Sequence, residues 1–511
     1  MTHQREQHLL AEIDRLRAEN ELLRQRVDQI LRQLFGAKSE ALDPSQLDLF
    51  TYPEAAEKTV AADGTETPPA AEALLPPPPV KKRSPRKPRD NSHLEVRETL
   101  VIHPAVQANP DDFREIDRVS TDRYDFQPSV IFITRITRPV HVPVNNPDGV
   151  PVKAPAPPSL GLSATPRLVA QVLAGKYCDH LPFYRQQGIF LRRYGVDFPR
   201  NTFCHWTDVS ADLCEPVYKL IHAGLLANTN LQADETPIRY QNPGKGKCST
   251  GYLWVIHAPR NGIKGDILYQ WHPSRKAACL DDLLPSYQGY LQTAAYAAYD
   301  SWIAGKDGII LVACWAHARR KFHEAFKSGQ TLAAGPLAAI ARIYQIETTL
   351  RKTHAESAER SQVRQARSAP LLQILKADLV TLRARPEVLP KSALGKAIDY
   401  TLTLWAKLTL YVDQGQLEID NNWIENGIRP TAIGKKIWLF IGGEATGQRS
   451  AIIYTLIECA RRHGHNPEAY LADILERLPA MTNQDDLTQL LPSRWRAAAA
   501  TDPAPETALS V

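Results

Sequence analysis

The chain has 511 residues, 43% of them hydrophobic, with seven cysteines and a formal net charge of +5. This length and apolar content predict several folded domains and exclude a largely disordered protein. The cysteines are scattered without a CxxC pair, so we expect free, mostly buried thiols instead of a cysteine-held metal or redox couple. No apolar run approaches the roughly 18–20 residues that span a bilayer, so we expect a cytoplasmic protein.

The first predicted element, over residues 1–35, is a coiled-coil helix. Its heptad positions hold Leu9, Leu16, Leu23 and Ile30 in one column and Ile13, Asn20, Val27 and Leu34 in the other. β-Branched residues at one column, leucine at the other and a single Asn are typical of a parallel two-stranded coiled coil. We therefore predict a homodimer through residues 9–34. An amphipathic helix packed on its own chain remains the alternative.

Residues 36–95 are predicted to be a Pro/Ala-rich linker with a basic end. Six cations occur within residues 81–89, beginning with Lys81, Lys82 and Arg83. Such a segment buries too little apolar surface to fold alone, but its cations can lie along a phosphate backbone and release counterions. These three residues are therefore candidate DNA contacts. A solubilising tail is the other interpretation.

Residues 96–155 are predicted to form a small β-rich module, because apolar and polar residues alternate over 130–138 as in a strand. Residues 160–225 are predicted to be helical, with a break at Gly195 and a helix starting near Asn201. A short glycine-containing turn between helices, with arginines nearby, is compatible with a helix-turn-helix that enters a DNA groove. An ordinary helical bundle fits the same pattern.

Residues 226–480 show the order of elements of a mixed sheet flanked by helices. Strands are predicted from 231 and over 251–256, 266–271, 289–293 and 309–313, and helices over 275–284 and 296–303. Three meandering strands followed by two helix-crossover strands give the order of a ribonuclease-H-like fold. The fold class expected is therefore multidomain α+β, and residues 481–511 form a C-terminal tail.

In such a sheet the ends of the first and fourth strands lie side by side. An acid at each end, with a third from a later helix, can hold two Mg²⁺ ions on a phosphodiester. Asp234 fits the first position. Glu425 is a candidate for the third because Arg429, four residues on, shares its helix face and places a guanidinium beside the carboxylate. Asp420 can cap that helix. A capping acid at 234 and a plain surface ion pair are the alternatives.

A basic cluster follows the fifth strand, on a helix that bears His317, Arg319, Arg320 and Lys321. These side chains would face either DNA phosphates or solvent. Because the helix lies beside the predicted acidic site, we interpret the cluster as DNA-binding.

Several segments together resemble the insertion sequence 66 family of bacterial transposases. They are KYCDHLPFYR at 176–185, ADETP at 233–237, CWAHARRKF at 314–322, IDNN at 419–422 with Glu425 and IRP at 428–430, GKKIWLF at 434–440, and PEAYL at 467–471. The resemblance extends from the coiled coil to about Leu478.

The resemblance implies a DDE transposase that recognises terminal inverted repeats, cleaves strands with Mg²⁺ (or Mn²⁺) and transfers them by the freed 3′-hydroxyl. It implies a helical insertion over about 324–414, double-stranded DNA as partner, accessory proteins of the same element and a nucleoid-associated location in a bacterium. The family's first acid falls on Asp234 and its Glu on Glu425. Arg429, Lys435 and Lys436 fall on basic positions beside them and are candidate DNA contacts.

The chain departs from the family at the second acid. Where the family typically has Asp-Gly-Tyr after the fourth strand, this chain has Ala294-Ala295-Tyr296. Alanine cannot bind Mg²⁺, and Asp300 is six residues further, roughly 9 Å along a helix. The zinc-binding cysteines that many members carry near 105–140 are absent, so we expect no zinc. The main interpretations are a transposase with impaired catalysis and a non-enzymatic DNA-binding relic or regulator of transposition. A host nuclease on the same fold is a third, but it does not explain the coiled coil and the family motifs together.

Overall fold

The computed structural model describes residues 19, 130–138, 140–141, 152–153 and 155–496, except 243, 245, 260–264, 295–296 and 483. The chain divides into two units, Met1–Tyr52 with Thr134–Val511, and Pro53–Ile133. The predicted coiled coil apart from Glu19, the predicted linker with Lys81, Lys82 and Arg83, and the end of the C-terminal tail lie outside the described residues. Among the residues that are described, no helix is long and apolar enough to cross a membrane.

The predicted strand over residues 130–138 is wrong, because these residues adopt no regular secondary structure. Phe132 and Ile133 are 79% and 88% exposed. An alternating sequence becomes a strand only where a neighbouring strand completes its hydrogen bonds and one face is buried. The β structure described between 96 and 155 is a two-residue pair of strands, β1 (Val140–His141) and β2 (Val152–Lys153).

The first helices and the sheet follow in chain order. They are α1 (Pro166–Tyr177), α2 (Phe183–Tyr194), α3 (Arg200–Leu226), β3 (Asn230–Tyr240), β4 (Ser249–His257), β5 (Ile267–His272), α4 (Cys279–Leu283), β6 (Gly289–Gln292), α5 (Ala297–Ile303) and β7 (Ile309–Val312). The remaining α-helices are α6 (Trp315–Lys327), α7 (Ala334–Lys352), α8 (Ser357–Val363), α9 (Ala369–Arg383), α10 (Ala393–Thr403), α11 (Trp405–Asp413), α12 (Asn422–Trp438), α13 (Glu444–Arg462) and α14 (Pro467–Arg477). A π-helical turn, Arg364–Ser368, joins α8 to α9.

The sheet has five strands in the order β5-β4-β3-β6-β7. β3, β4 and β5 are mutually antiparallel, whereas β6 runs parallel to β3 and to β7. This is a mixed sheet within an α+β fold, as the sequence predicts. The strand β3 has 11 residues and β6 only 4, so β3 continues well past its last pairing with β6.

The helix predicted over 275–284 is shorter than expected and begins only at Cys279. The Ser274 hydroxyl accepts a hydrogen bond from the Lys276 N–H at 3.1 Å. A serine that bonds to a backbone N–H two residues on favours a turn over a helix, which delays the helix start.

Helices α1 and α3 pack against α13 and α14, which explains why their apolar faces are buried. Tyr177 of α1 shares a hydrogen bond of 3.0 Å with Ser450 of α13. Gly195 ends α2 in the left-handed conformation with φ 69°, which glycine adopts without steric cost. The three helices therefore pack as part of a helical bundle. Their binding to a DNA groove stays a prediction.

Four cysteines, Cys214, Cys279, Cys314 and Cys459, are buried as free thiols, as expected. Helices α7 to α11 follow α6 in the sequence and share one hydrophobic core with it. In this core Phe322 of α6, Ile340, Leu375 and Ile398 are almost fully buried.

Candidate active site

Asp234 lies on β3, on the face that α12 covers. Side chains two residues apart on a strand point to the same face, so Gln232, Asp234 and Thr236 share one. The Gln232 amide donates to the carbonyl oxygen of Asp420 at 2.8 Å, and Lys435 Nζ donates to Thr236 Oγ1 at 3.0 Å. These two bonds lie on either side of Asp234. The carboxylate therefore faces the helix that carries Glu425.

Glu425 lies in the first turn of α12, and two basic residues of α6 approach its carboxylate. Arg320 Nη2 is 3.4 Å from its Oε2, and His317 Nε2 is 3.6 Å from its Oε1. The start of α12 is fixed by Asp420, whose Oδ1 accepts the Asn422 N–H at 3.2 Å. The helix cap is Asn421 and not the predicted Asp420, which lies one residue earlier and accepts the N–H of the first helical residue.

The two acids interact electrostatically. The pKa of Asp234 is raised to about 7, first by burial and then by the negative charges of Glu235 and Glu425, whereas a 2.9 Å hydrogen bond from the Glu235 N–H opposes the rise. A charge affects a neighbour's pKa in this way only at short range. The charge of Glu425, far away in the sequence, therefore acts on Asp234 in the folded chain.

Glu235 belongs to a different environment on the opposite face of β3. It forms an ion pair with Arg275, and Tyr299 Oη donates to its Oε2 at 3.2 Å. Only 3% of its side chain is exposed. Glu235 is therefore a structural partner of Arg275 and Tyr299, a role that the sequence analysis missed.

Ala294 follows the end of β6, the strand that runs parallel beside β3. The last paired residues of the parallel strands β3 and β6 are Gln232 and Gln292. Asp234 lies two residues after Gln232, and Ala294 lies two residues after Gln292. Asp300, the nearest acid after Ala294, forms an ion pair with Lys407 of α11 instead.

The described residues do not provide a complete metal site. Among them, no group of three or more His, Cys, Asp or Glu side chains could hold a metal ion. Asp234 and Glu425 supply two carboxylates, and the side chain at 294 supplies no oxygen. The residues present therefore do not fit the ligand set of a two-metal site, which needs carboxylates from several elements.

Comparison with protein families identifies the chain. The family model described as "Transposase IS66 family" matches residues 161–449, more than half of the chain. The chain belongs to the IS66 transposase family. The family's C-terminal element matches residues 455–493, and a model described as "Transposase C of IS166 homeodomain" matches residues 22–99. The resemblance seen in the motifs is thereby confirmed.

Three relatives of this IS66 family chain come from Sinorhizobium fredii (strain NBRC 101917 / NGR234). Uncharacterized protein y4jD is 32% identical over 499 residues, covering 93% of this chain and 94% of the relative. Uncharacterized protein y4qI is 31% identical over 436 residues, with 81% and 78% covered. Uncharacterized protein y4hP is 28% identical over 507 residues, with 93% and 89% covered.

The predicted DNA-binding cations of this family chain have different surroundings. Arg429 and Lys436 are exposed, and Arg319 is half-buried. The Lys321 ammonium lies 4.6 Å from the centre of the Tyr400 ring in the insertion. Arg320 contacts Glu425 and Lys435 is bonded to β3, so these two hold the acidic site together as well as carrying charge.

Helices α7 and α8, within the segment predicted to be an insertion, contact the segment before α12 through buried ion pairs. Arg360 donates to Glu418 Oε1 at 3.0 Å and Arg351 to Oε2 at 2.8 Å, while Arg364 makes two bonds to Glu347 at 2.8 and 2.7 Å. Burial would raise the pKa of Glu418, but Arg360 and Arg351 outweigh burial and lower it below its usual range. The insertion therefore helps to fix where α12, and with it Glu425, begins.

A pair of buried glutamines connects the same segment to the sheet. Gln232 donates to Gln292 at 2.8 Å, and Gln292 donates to the carbonyl oxygen of Glu418 at 2.9 Å. Sequence analysis missed both glutamines and the buried arginines. Arg360 and Arg364 are four residues apart, a spacing that predicts a shared helix face but not whether that face is buried.

Proposed function

We propose that the chain is a DNA transposase of an insertion sequence, with a ribonuclease-H-like domain built on β3 to β7, and that its strand cleavage and transfer are impaired as it stands. Family membership supports the class of protein. The strand order 3-2-1-4-5 within this sheet supports the domain, since it places the first and fourth strands side by side.

The observation that carries the proposal is the relation between Asp234, Glu425 and Ala294. The pKa of Asp234 responds to Glu425 in the first turn of α12, and position 294 follows the end of the adjacent parallel strand β6 by two residues. We propose that 294 is the place of the second catalytic acid, now occupied by alanine. Strand chemistry dependent on Mg²⁺ or Mn²⁺ is then limited by the missing carboxylate.

The residues around the acids suit a phosphodiester substrate. Arg429 is exposed one helical turn from Glu425, Lys436 lies two turns further, and Arg320 approaches from α6. Guanidinium groups pair with phosphate oxygens in a bidentate manner, and ammonium groups act as point charges. We therefore propose that these side chains hold the DNA backbone beside the acids and orient the bond to be cut.

Other parts of the chain are proposed to bind the element's ends and to assemble the complex. The family model over residues 22–99, whose description names a homeodomain, includes Lys81, Lys82 and Arg83. This match supports binding of double-stranded DNA at the terminal inverted repeats. The heptads over 9–34 support a homodimer. Accessory proteins of the same element are a further proposal, based on the family resemblance alone.

A strand-transfer assay on the element's own ends tests the proposal, with the native chain, Ala294→Asp, and Ala294→Asp with Ala295→Gly. We expect cleavage and joining with Mg²⁺ or Mn²⁺ only from the restored variants. Ala294→Asn is the matched control, because it adds similar bulk without a charged ligand. Activity of the native chain, or inactivity of every variant with bound DNA, would contradict the assignment of position 294.

The second candidate function is a non-enzymatic DNA-binding regulator or relic, which the missing side-chain oxygen at 294 favours. Such a protein binds the inverted repeats and competes with an active transposase. This function predicts that the native chain binds the DNA ends tightly. It also predicts that the variants with Asp at position 294 still fail to cut DNA.

A further inference from the structure

We propose that the C-terminal end of α12 is an apolar wedge, formed by Leu439 and Phe440, that inserts between stacked bases of the DNA duplex held beside Glu425. The inference rests on the proposed function and adds to it a distortion of the DNA at a defined distance from the acids.

Large apolar side chains are exposed at this end of the helix. Leu439 is 66% exposed, Phe440 37% and Ile433 43%. Single exposed apolar residues are normal on protein surfaces, but several within eight residues at the tip of one element mark an interaction surface. Ile433 lies on the same helix face as Arg429 and Lys436, in steps of four and three residues. The apolar tip therefore continues the face that carries the exposed cations.

The tip is held in a fixed conformation by hydrogen bonds on both sides. Leu439 has φ 64°, a left-handed conformation that is sterically unfavourable for a residue with a bulky side chain. Its N–H donates to the Lys435 carbonyl oxygen at 3.1 Å, and the Ile441 N–H donates to the Arg239 carbonyl oxygen at 2.9 Å on β3. The backbone therefore projects Leu439 and Phe440 outwards from the end of the helix without further ordering on binding.

The positive charge around the tip favours a polyanion as the binding partner. From Arg429 to Phe440 the sequence has three cations and no acid, and Arg239 is exposed on the adjoining part of β3. A second copy of the chain docked symmetrically on this tip would bring like charges together. A DNA duplex offers the opposite arrangement, phosphates for the cations and stacked apolar bases for the side chains between them. Apolar wedges that separate base steps are an established way of bending a duplex.

Helix geometry gives the position of the wedge on the DNA. Leu439 is 14 residues after Glu425, which is about 21 Å along an α-helix with a rise of 1.5 Å per residue. With α12 aligned along the duplex axis and about 3.4 Å per base step, the wedge meets the duplex roughly six base pairs from the bond beside Glu425. Unstacking at that step would bend the duplex and hold its register against the acids.

The test places 2-aminopurine, whose fluorescence rises on unstacking, at one position at a time in a duplex bearing the element's terminal inverted repeat. Binding is followed separately by fluorescence anisotropy of an end-labelled copy. We expect the full-length native chain to raise the fluorescence severalfold at a step about six base pairs from the element end. Leu439→Ala with Phe440→Ala should abolish the rise at equal occupancy. Ile374→Ala, which truncates an exposed apolar residue of the insertion, should leave the rise unchanged.

Three other outcomes would contradict the proposal that Leu439 and Phe440 unstack the bases. Bound DNA without a rise, or a rise unaffected by the double substitution, shows that the tip does not unstack bases. Weaker self-association of the double variant in sedimentation shows that the tip is an interface between protein copies. Failure of the native chain to bind the duplex in the anisotropy measurement contradicts the proposed function itself, and so is distinguished from failure of the wedge alone.

Discussion

The Lys435 ammonium donates to Thr236 Oγ1 at 3.0 Å, two residues along β3 from Asp234. Together with the 2.8 Å bond from Gln232 to the Asp420 carbonyl oxygen, it attaches the two ends of α12 to the same strand. The helix cannot slide along β3 without breaking one of these bonds. The separation of Asp234 and Glu425 is therefore set by the protein fold and does not depend on a bound ion.

Lys435 and Lys436 are adjacent, and their substitutions should separate stability from DNA binding. Lys435→Met removes the bonds to β3 and should lower the free energy of unfolding by about 1–2 kcal/mol. Lys436→Met removes an exposed charge and should leave stability unchanged, but should reduce the dependence of log K on log salt by about 0.9 for one lost phosphate contact. Urea unfolding and binding titrations at several salt concentrations measure both effects. Equal effects of the two substitutions on both quantities would contradict this division.

Asp234→Asn should stabilise the chain in a pH-dependent way. The pKa of Asp234 is raised to about 7 by burial and neighbouring acids, so keeping its charge in the folded state costs free energy above that pH. This loss of stability is absent at pH values below about 4, the pKa of an aspartate in the unfolded chain, and it grows as the pH rises from about 4 to about 7. The variant should therefore match the native chain near pH 4 and exceed its stability at pH 8 by on the order of 1–3 kcal/mol.

The control for Asp234→Asn is Asp282→Asn, which removes an exposed carboxylate of α4. This variant tests whether the loss of any carboxylate, and not the burial of Asp234, produces the expected gain in stability. Urea unfolding at pH 4, 6 and 8 makes the comparison. A lower stability of Asp234→Asn at pH 8 would show that Asp234 is held as a favourably paired anion and not as a strained acid.

Arg360→Met should strongly destabilise the chain, because it leaves Glu418 and Glu347 as buried charges with fewer partners. Arg360 is 2% exposed and lies 3.0 Å from Glu418 and 3.7 Å from Glu347. Removing one member of a buried ion pair costs about 3–5 kcal/mol. The measurement is the free energy of unfolding in urea.

Arg383→Met is the matched control within the same insertion. Arg383 pairs with Asp399, but both side chains are substantially exposed, so the loss should be below about 1 kcal/mol. Adding Glu418→Gln to Arg360→Met should recover part of the lost stability, because the uncompensated charge is removed. Similar losses for Arg360→Met and Arg383→Met would mean that the buried network contributes no more than a surface pair.

Local patterns predicted the strands of the sheet and the helix that carries Glu425. The strands follow continuous or alternating apolar runs, and the helix begins beside Asp420, whose carboxylate accepts the Asn422 N–H, so both are encoded in neighbouring residues. The strand predicted over 130–138 was wrong because alternation cannot specify a pairing partner. The early start predicted for α4 was wrong because Ser274 turns the chain.

The packing around the site could not be predicted in the same way. The buried carboxylate of Glu418 is paired with Arg351 and Arg360, which lie on α7 and α8. The sequence does not indicate this pairing, because charged residues on helices are usually exposed. Gln232 and Gln292 form part of strands whose pattern gives no indication that their amides join β3 and β6 to the segment before α12. These contacts depend on tertiary structure between distant segments. They decide the position of Glu425, whereas its identity is visible in the sequence.

The most direct test of the central claim, that Asp234, Glu425 and position 294 surround one metal site with a missing ligand, is calorimetric titration with Mn²⁺. We expect Ala294→Asp to bind at least about tenfold more tightly than the native chain, a gain of ~1.4 kcal/mol. Adding Glu425→Gln to that variant should remove the gain. Equal Mn²⁺ affinity of the native chain and Ala294→Asp would contradict the account, because position 294 would then lie outside the site.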